Sequence, residues 1–318
     1  MSVVRPAAPT PTPSGEKGGE PTATATPAAT PGEQSGSPTP TENGAVPSFD
    51  HVYVMVLENK ESTDVVGSGH APYLNGLISQ YGLATSYTGV AHPSQPNYLA
   101  IWAGSTFGVT DDGMHDLNGE TLGDQLDSAG KTWNVYAENY PVGASDAGPA
   151  CYTGASASGG EDGDGKYTRK HDPAMSFVDL NTDPQRCAQH ITDLSHFDAA
   201  SSDFSLIVPN ACHDMHDCPV SSGDAWLKTW LPDHILDTQT WKETNSALFI
   251  TWDEGDSDTG GGGTVPMIVI SHRTPAEFTS PAAYDHYSLL ATVEASWKLG
   301  CLRNACQASD LAEFFDGR

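Results

Sequence analysis

His51-Val52-Tyr53-Val54-Met55-Val56-Leu57 is a nearly unbroken apolar run that stops abruptly at Glu58-Asn59-Lys60. A strand covered on one face alternates apolar with polar residues. A strand apolar throughout has both faces covered, as in the parallel sheets of α/β proteins. Residues 82–90, 132–138, 203–208, 247–252 and 265–270 read as further strands. Between them lie stretches of helical spacing: 72–81 (Leu74, Leu77, Ile78), 121–129 (Leu122, Leu126) and 224–241, interrupted near Pro232. Asp285 caps a last helix with Leu289, Leu290, Val293 and Trp297 on one face. This alternation predicts an α/β domain with a mainly parallel central sheet. Ligands of such sheets bind beyond the carboxyl ends of the strands. Glu58-Asn59, Ser94, Asn210 to Asp217 and Asp253-Glu254 each follow a predicted strand.

Residues 1–46 hold hardly any bulky apolar side chain and are dominated by Pro, Thr, Ala, Gly, Ser and Glu. Such a segment cannot bury enough surface to offset its ordering entropy, so 1–46 reads as a disordered tail or linker. Residues 47–318 remain for one large domain. No apolar run approaches the length that spans a bilayer. The start lacks the charged-then-apolar order of a signal peptide, yet a Pro/Thr tail commonly follows an export signal or lipid anchor. The expected location is therefore secreted or cell-surface.

The formal net charge is −27, and the tail contributes little of it: Arg5 and Lys17 stand against four glutamates. The remainder is strongly acidic, which disfavours nucleic acid and anionic membranes as extended partners. It suits a small substrate held through a divalent cation. Six cysteines, at 151, 187, 212, 218, 301 and 306, read as three disulfides of an exported protein. The spacing favours Cys212–Cys218, Cys301–Cys306 and, by remainder, Cys151–Cys187. Residues 141–182, rich in Gly, Ser, Asp and Ala, read as a long excursion over the domain, stapled by Cys151.

In Ala91-His92-Pro93-Ser94-Gln95-Pro96-Asn97-Tyr98 a polar loop gives way to the apolar Leu99-Ala100-Ile101-Trp102. Pro96 suits a first helical turn, so Ser94 falls at or beside the N-cap. Free N–H groups and the positive dipole end attract anions there. Ser94 either caps the helix or attacks phosphorus. Asp253-Glu254 are costly unless solvated, paired or bound to a cation. With Glu58 and Asn59 they supply the hard oxygen donors preferred by Mg²⁺, Ca²⁺ or Mn²⁺. One such cation near Ser94 would lower the serine's pKa and offset developing charge. No Gly-x-Ser-x-Gly elbow supports a serine esterase.

Cys212-His213-Asp214-Met215-His216-Asp217-Cys218 is dense in ligand types. His and Cys could hold zinc, although ligands this close make a poor tetrahedron. A Cys212–Cys218 bridge, favoured by the other cysteines, would instead present His216 and His213 to the site. His216 could then contact a phosphoryl oxygen or protonate a leaving alkoxide. Tyr167-Thr168-Arg169-Lys170-His171 is the concentrated positive patch, and Lys170 and His171 could neutralise phosphate. His286, beside Asp285, suits a capping, packing or ligand role equally.

Taken in order, Glu58-Asn59, His92-Pro93-Ser94-x-Pro96-Asn97-Tyr98, Lys170-His171-x-Pro173, the Cys212–Cys218 segment and Thr251-Trp252-Asp253-Glu254 resemble one family. It is the bacterial phosphoesterase family of acid phosphatases and non-specific phospholipases C. The resemblance implies an alkaline-phosphatase-like fold, an α/β three-layer sandwich. It implies Ser94 as a transiently phosphorylated nucleophile and Glu58, Asn59, Asp253 and Glu254 around one divalent cation. His171 and His216 would hold the phosphoryl group, with Lys170, Asn97, His213 and His92 at the substrate. Related acid phosphatases carry two aspartates where this chain has Asp253 and Glu254. The compact length and Cys-flanked His loop look most like actinobacterial secreted acid phosphatases, some active on phosphoinositides. The expected function is a secreted, metal-assisted acid phosphatase acting on phosphomonoesters of small molecules or lipid headgroups. A phospholipase C and a non-catalytic Ca²⁺-binding surface module are the rivals.

Overall fold

Every residue of Ser246–Trp252 and all but the first of His51–Leu57 are buried. Strands this apolar belong at the centre of a sheet covered on both faces. The structure, a computed structural model, describes residues 44–141, 151–158 and 166–315. Its strands are β1 (His51–Leu57), β2 (Gly82–Thr88), β3 (Trp133–Ala137), β4 (Ser156–Ser158), β5 (Lys166–Thr168), β6 (Ile191–Asp193), β7 (Phe204–Val208), β8 (Ser246–Trp252), β9 (Met267–Ser271) and β10 (Phe278–Asp285). Its α-helices are α1 (Ser62–Val65), α2 (Pro72–Gln80), α3 (Ser94–Ala103), α4 (Leu122–Ser128), α5 (Val178–Asn181), α6 (Pro184–His190), α7 (Val220–Leu231), α8 (Gln239–Glu243) and α9 (His286–Trp297).

Eight strands form one sheet in the order β10-β2-β9-β8-β1-β7-β3-β6. Its pairs are parallel except that β9 runs antiparallel to β2 and β8. Helices pack in two groups, α3 with α9 and α2 with α7, giving the three layers of an α/β sandwich. All described residues fall within one compact unit, Glu42–Arg318. The expected tail lies outside the described residues as far as residue 43, and Val46 already packs on the core.

Two strands of the eight-stranded sheet escape the sequence pattern. β10 is an edge strand carrying Pro281 with most side chains open to solvent, and β6 is only three residues long. Neither needs an apolar run, because neither is covered on both faces. Helix α7 begins at Val220, ahead of the expected 224, because Pro219 supplies its N-cap. A π-turn, Pro232–Leu236, stands at the expected interruption. The described parts of the 141–182 excursion hold the β4–β5 hairpin, two 3₁₀ turns and α5. Residues 142–150 and 159–165 lie outside the described residues.

The disulfides are Cys151–Cys187, Cys212–Cys218 and Cys301–Cys306. The second bridge removes both thiolates from any zinc site. Among the described residues no helix is long and apolar enough to cross a membrane.

Candidate active site

The sheet register brings the first two acidic groups together. β1 and β8 run side by side with Leu57 opposite Trp252, and Asp253 N–H donates to Leu57 O at 3.0 Å. The residues that follow, Glu58 and Asp253, therefore leave the sheet next to each other, both fully buried. Asn59 turns the chain in the left-handed region (φ 50°), which asparagine tolerates better than most residues. Its N–H donates to Asp253 Oδ1 at 3.0 Å.

Ser94 is the first residue of α3, with Pro93 as N-cap. Its hydroxyl faces oxygen atoms: Glu254 Oε1 at 3.0 Å, Glu58 Oε2 at 3.2 Å and Asn59 Oδ1 at 3.3 Å. Lys170 Nζ lies 3.4 Å away. One hydroxyl carries one proton and satisfies only one of the two carboxylates. The same end of the Asn59 amide lies 3.1 Å from Glu58 Oε2 and 3.2 Å from Asp253 Oδ1. With nitrogen there, the amide donates to both carboxylates. With oxygen there, acceptors face acceptors and only a cation balances them. Among the described residues no three His, Cys, Asp or Glu side chains close on one point as a preformed metal site. Their oxygens meet instead on Ser94 and Asn59, so a cation would draw on these two as well as on the carboxylates. The donors are all hard oxygens, which fits Mg²⁺, Ca²⁺ or Mn²⁺.

Charge within the cluster is strongly graded. Burial opposes ionisation of Glu58, but His171 outweighs it and holds the carboxyl below its ordinary range. Tyr98 Oη donates to Glu58 Oε1. His171 Nε2 sits 3.3 Å from that same oxygen, and its Nδ1 lies 3.5 Å from Asp214 Oδ2. Burial works against the imidazolium, yet Glu58 and Asp214 together push the His171 pKa up to about 10. His171 thus stays cationic, stacked on the Tyr98 ring. Burial, then Glu58 and Glu254, pushes Asp253 well above the carboxylate range. Burial also raises Glu254, against the pull of His92 and Ser94. Burial disfavours the His92 cation, but Glu254 outweighs it and raises the pKa. His92 Nδ1 pairs with Glu254 Oε2, and Nε2 donates to Ser257 O at 3.1 Å.

The structure thus gathers Glu58, Asn59, Asp253, Glu254, Lys170 and His92 within one or two contacts of Ser94, with His171 behind Glu58. Other expected residues lie elsewhere. Asn97, expected at the substrate, is fully buried and committed to the 90–93 loop. Its Oδ1 accepts from Val90 and Ala91 N–H, and its Nδ2 donates to Ala91 O and Pro93 O. It shapes the nucleophile loop. His213 turns to Glu138, 2.8 Å from Nδ1, and stacks on Trp226. His216 is half exposed, pairs with Asp217 at 2.7 Å, and its ring lies 6.3 Å from that of His171. It stands at the rim.

Several residues that position the site escape the sequence reading or, like His286, are left open by it between capping, packing and ligand roles. Tyr98 and Asp214 fix Glu58 and His171. His286, fully buried with its pKa lowered by burial to about 4, stays neutral. Its Nε2 lies 2.5 Å from Asp253 O, and Tyr87 Oη lies 3.0 Å from its Nδ1. Glu61 accepts from Asp256, Ser257 and Thr264 N–H and from Ser257 Oγ, pinning the loop after Glu254. Asp112 pairs with Lys170 at 2.9 Å. The signal available for His286 was its place beside a helix cap. Glu61 and Asp112 carried none.

A model of the phosphoesterase family matches residues 57–300. The chain is 32% identical over 275 residues to a phosphatidylinositol-3-phosphatase of Mycobacterium tuberculosis, covering 84% of each. It is 27% identical over 273 residues to an acid phosphatase of Aspergillus fumigatus, covering 83% of this chain and 58% of that one. Among solved structures it resembles a phosphonate monoester hydrolase of Agrobacterium radiobacter (TM-score 0.53, 11% identity, 84% of this chain and 77% of the other). It also resembles a Vibrio parahaemolyticus protein of the alkaline phosphatase superfamily (TM-score 0.51, 11% identity, 83% and 72%). At such identity these two likenesses carry the fold alone. Fold, site and relatives define a phosphoric ester hydrolase with an alkaline-phosphatase-like architecture. The chain belongs to the phosphoesterase family.

Proposed function

We propose that the protein is an exported, metal-assisted acid phosphatase that hydrolyses phosphomonoesters through a phosphoserine at Ser94. The observation that carries this reading is the Ser94 hydroxyl itself. It stands at a helix start, faced by two carboxylate oxygens, one end of the Asn59 amide and one ammonium. Ser94 Oγ attacks phosphorus and its proton passes to Glu254 Oε1, the acceptor at 3.0 Å. The bond from phosphorus to the alcohol oxygen breaks. The alcohol leaves with a proton from one of the half-exposed imidazoles, His92 or His216. Water then attacks phosphorus and gives a proton to the imidazole that lost one, the bond from phosphorus to Ser94 Oγ breaks, the proton held on Glu254 returns to Oγ, and inorganic phosphate departs. Lys170 and the cationic His171 balance negative charge throughout. A divalent cation held by Glu58, Asn59, Asp253 and Glu254 would, when bound, polarise the serine and phosphoryl oxygens.

A cleft of about 570 Å³ begins at Asn59 and is lined by Lys60, Thr63, Asp64, Ser68, His70 and Ser221 among others. Hydroxyls, acids and bases among its lining suit a polyhydroxylated alcohol, which supports a polyol or inositol headgroup as leaving group. The three disulfides support a location outside the cytoplasm. The test is hydrolysis of p-nitrophenyl phosphate at mildly acid pH by the purified chain. Ser94→Ala should abolish turnover with the fold intact, and undiminished turnover would remove Ser94 from the mechanism. Release of diacylglycerol from phosphatidylcholine, with no phosphate from monoesters, would replace this reading by a phosphodiesterase.

A further inference from the structure

Asp112 lies on the exposed 110–116 loop, yet its carboxylate reaches the mouth of the site. Oδ1 accepts the Gln95 N–H, from the second residue of α3, at 3.0 Å. Oδ2 accepts from Lys170 Nζ at 2.9 Å, and that same nitrogen lies 3.4 Å from Ser94 Oγ. A phosphoryl group approaching Ser94 brings two or three anionic oxygens to this spot. The donors able to meet them are the Gln95 N–H, which the helix's own bonding leaves over, and the lysine. His171 is already engaged by Glu58 and Asp214. The carboxylate of Asp112 therefore rests on the donors that an incoming phosphoryl group needs.

Two anions on one ammonium and one N–H repel each other, so substrate and Asp112 compete for this corner. The carboxylate, its side chain 32% exposed, is held by the N–H of the buried Gln95 and by Lys170 alone. Elsewhere the loop is held locally by Asp111 Oδ1, with Gly113 N–H at 2.9 Å and His115 Nε2 at 2.8 Å, and beyond Gly113 by the buried Arg169 and by Asn181 Nδ2, which donates to Asp116 Oδ1 at 2.8 Å. Asp112 can leave with only two contacts broken.

Resting on the phosphatase reading above, we propose that Asp112 is a built-in stand-in for the phosphoryl group. It is displaced when a phosphate ester binds and returns to expel inorganic phosphate. Because it weakens binding of every phosphate anion, it sets the affinity for product as well as substrate. A residue that merely steadied Lys170 would do the opposite, and its loss would weaken phosphate binding.

The experiment is competitive inhibition of p-nitrophenyl phosphate turnover by inorganic phosphate, in the full chain and in Asp112→Ala and Asp112→Asn. Phosphate binding is also measured by equilibrium dialysis with Asp112→Ala in a Ser94→Ala background, where no turnover intervenes. The expected result is a Ki for phosphate lowered about tenfold in Asp112→Ala, with KM falling alongside and a matching gain in the dialysis. Asp112→Asn, which keeps an acceptor for Gln95 N–H, should lie between. An unchanged or raised Ki in a chain that still turns over would overturn the stand-in and leave the phosphatase reading standing. Absence of turnover in the unaltered chain would count against the phosphatase reading itself, and the dialysis would then decide on Asp112 alone.

Discussion

Asp224 and Asp253 are both buried aspartates, 3% and 0% exposed, held in opposite ways. Asp224, on α7, accepts the N–H groups of Tyr73 and Leu74 at 3.1 and 2.9 Å, saturating the open start of α2. Asp253 accepts one N–H from Asn59 and otherwise faces Glu58 and Glu254, and burial, then those two charges, pushes its pKa up. The first arrangement satisfies donors that would otherwise be orphaned, and stabilises the fold. The second crowds carboxylates into one buried place, where burial and like charge both oppose ionisation. Buried acids surrounded by N–H groups hold structure together. Buried acids surrounded by acids wait for something positive.

The contrast is sharpened first by removing one member of each set. Ser94→Ala, or Asp253→Asn, should lower kcat/KM on p-nitrophenyl phosphate by ~10³-fold or more. Asp253→Asn should at the same time leave the metal-free melting temperature unchanged or raised, since it relieves acceptor crowding. Asp224→Ala should do the reverse, costing about 3 kcal/mol of stability while turnover per folded molecule stays within about twofold. If Asp253→Asn unfolds the chain and Asp224→Ala spares it, the contrast is broken. Metal is the next probe. Mg²⁺, Ca²⁺ or Mn²⁺ added to chelator-treated protein should raise the melting temperature by a few degrees in the unaltered chain but not in Asp253→Asn. An equal rise in both would place the cation elsewhere.

Smaller effects concern the rim and pH. Of His92→Ala and His216→Ala, the one lacking the proton donor should lose about tenfold more on an alkyl phosphate than on p-nitrophenyl phosphate. The p-nitrophenol leaving group needs little protonation. Equal losses on both substrates would remove that imidazole from the role. Asp172 offers a pH test away from the carboxylate cluster. Burial pushes its pKa up to about 7. A carboxyl with a raised folded pKa binds its proton more tightly in the native state. Its contribution is therefore fully present below the unfolded pKa and is lost as pH rises from about 4 to about 7. Asp172→Asn should flatten the fall in melting temperature between pH 5 and pH 7. An unaltered slope would show that another group carries it.

How much of this was legible in the sequence follows from the same physics. β1 and β8 announce themselves because strands covered on both faces need unbroken apolar runs. β10 stays hidden because an edge strand exposes most of its side chains and accommodates Pro281. Glu58, Asn59, Asp253, Glu254 and Ser94 were legible as polar residues placed directly after strands or at a helix start. Asp112 was not, because it sits mid-loop and meaning comes to it only through Lys170, far along the chain. Tyr98 reads as one more core aromatic in a buried helix, and only its hydroxyl on Glu58 shows otherwise. Asn97 misleads in the other direction. Its place in the nucleophile loop suggests substrate contact, whereas four backbone groups use up its amide.

The most direct measurement is a rapid acid quench during turnover of a phosphomonoester, followed by peptide mapping by mass spectrometry. The arrangement around Ser94 predicts a phosphoryl group on the peptide containing residue 94, absent without substrate. Steady turnover with that peptide unmodified, or with phosphate on a histidine instead, would contradict it.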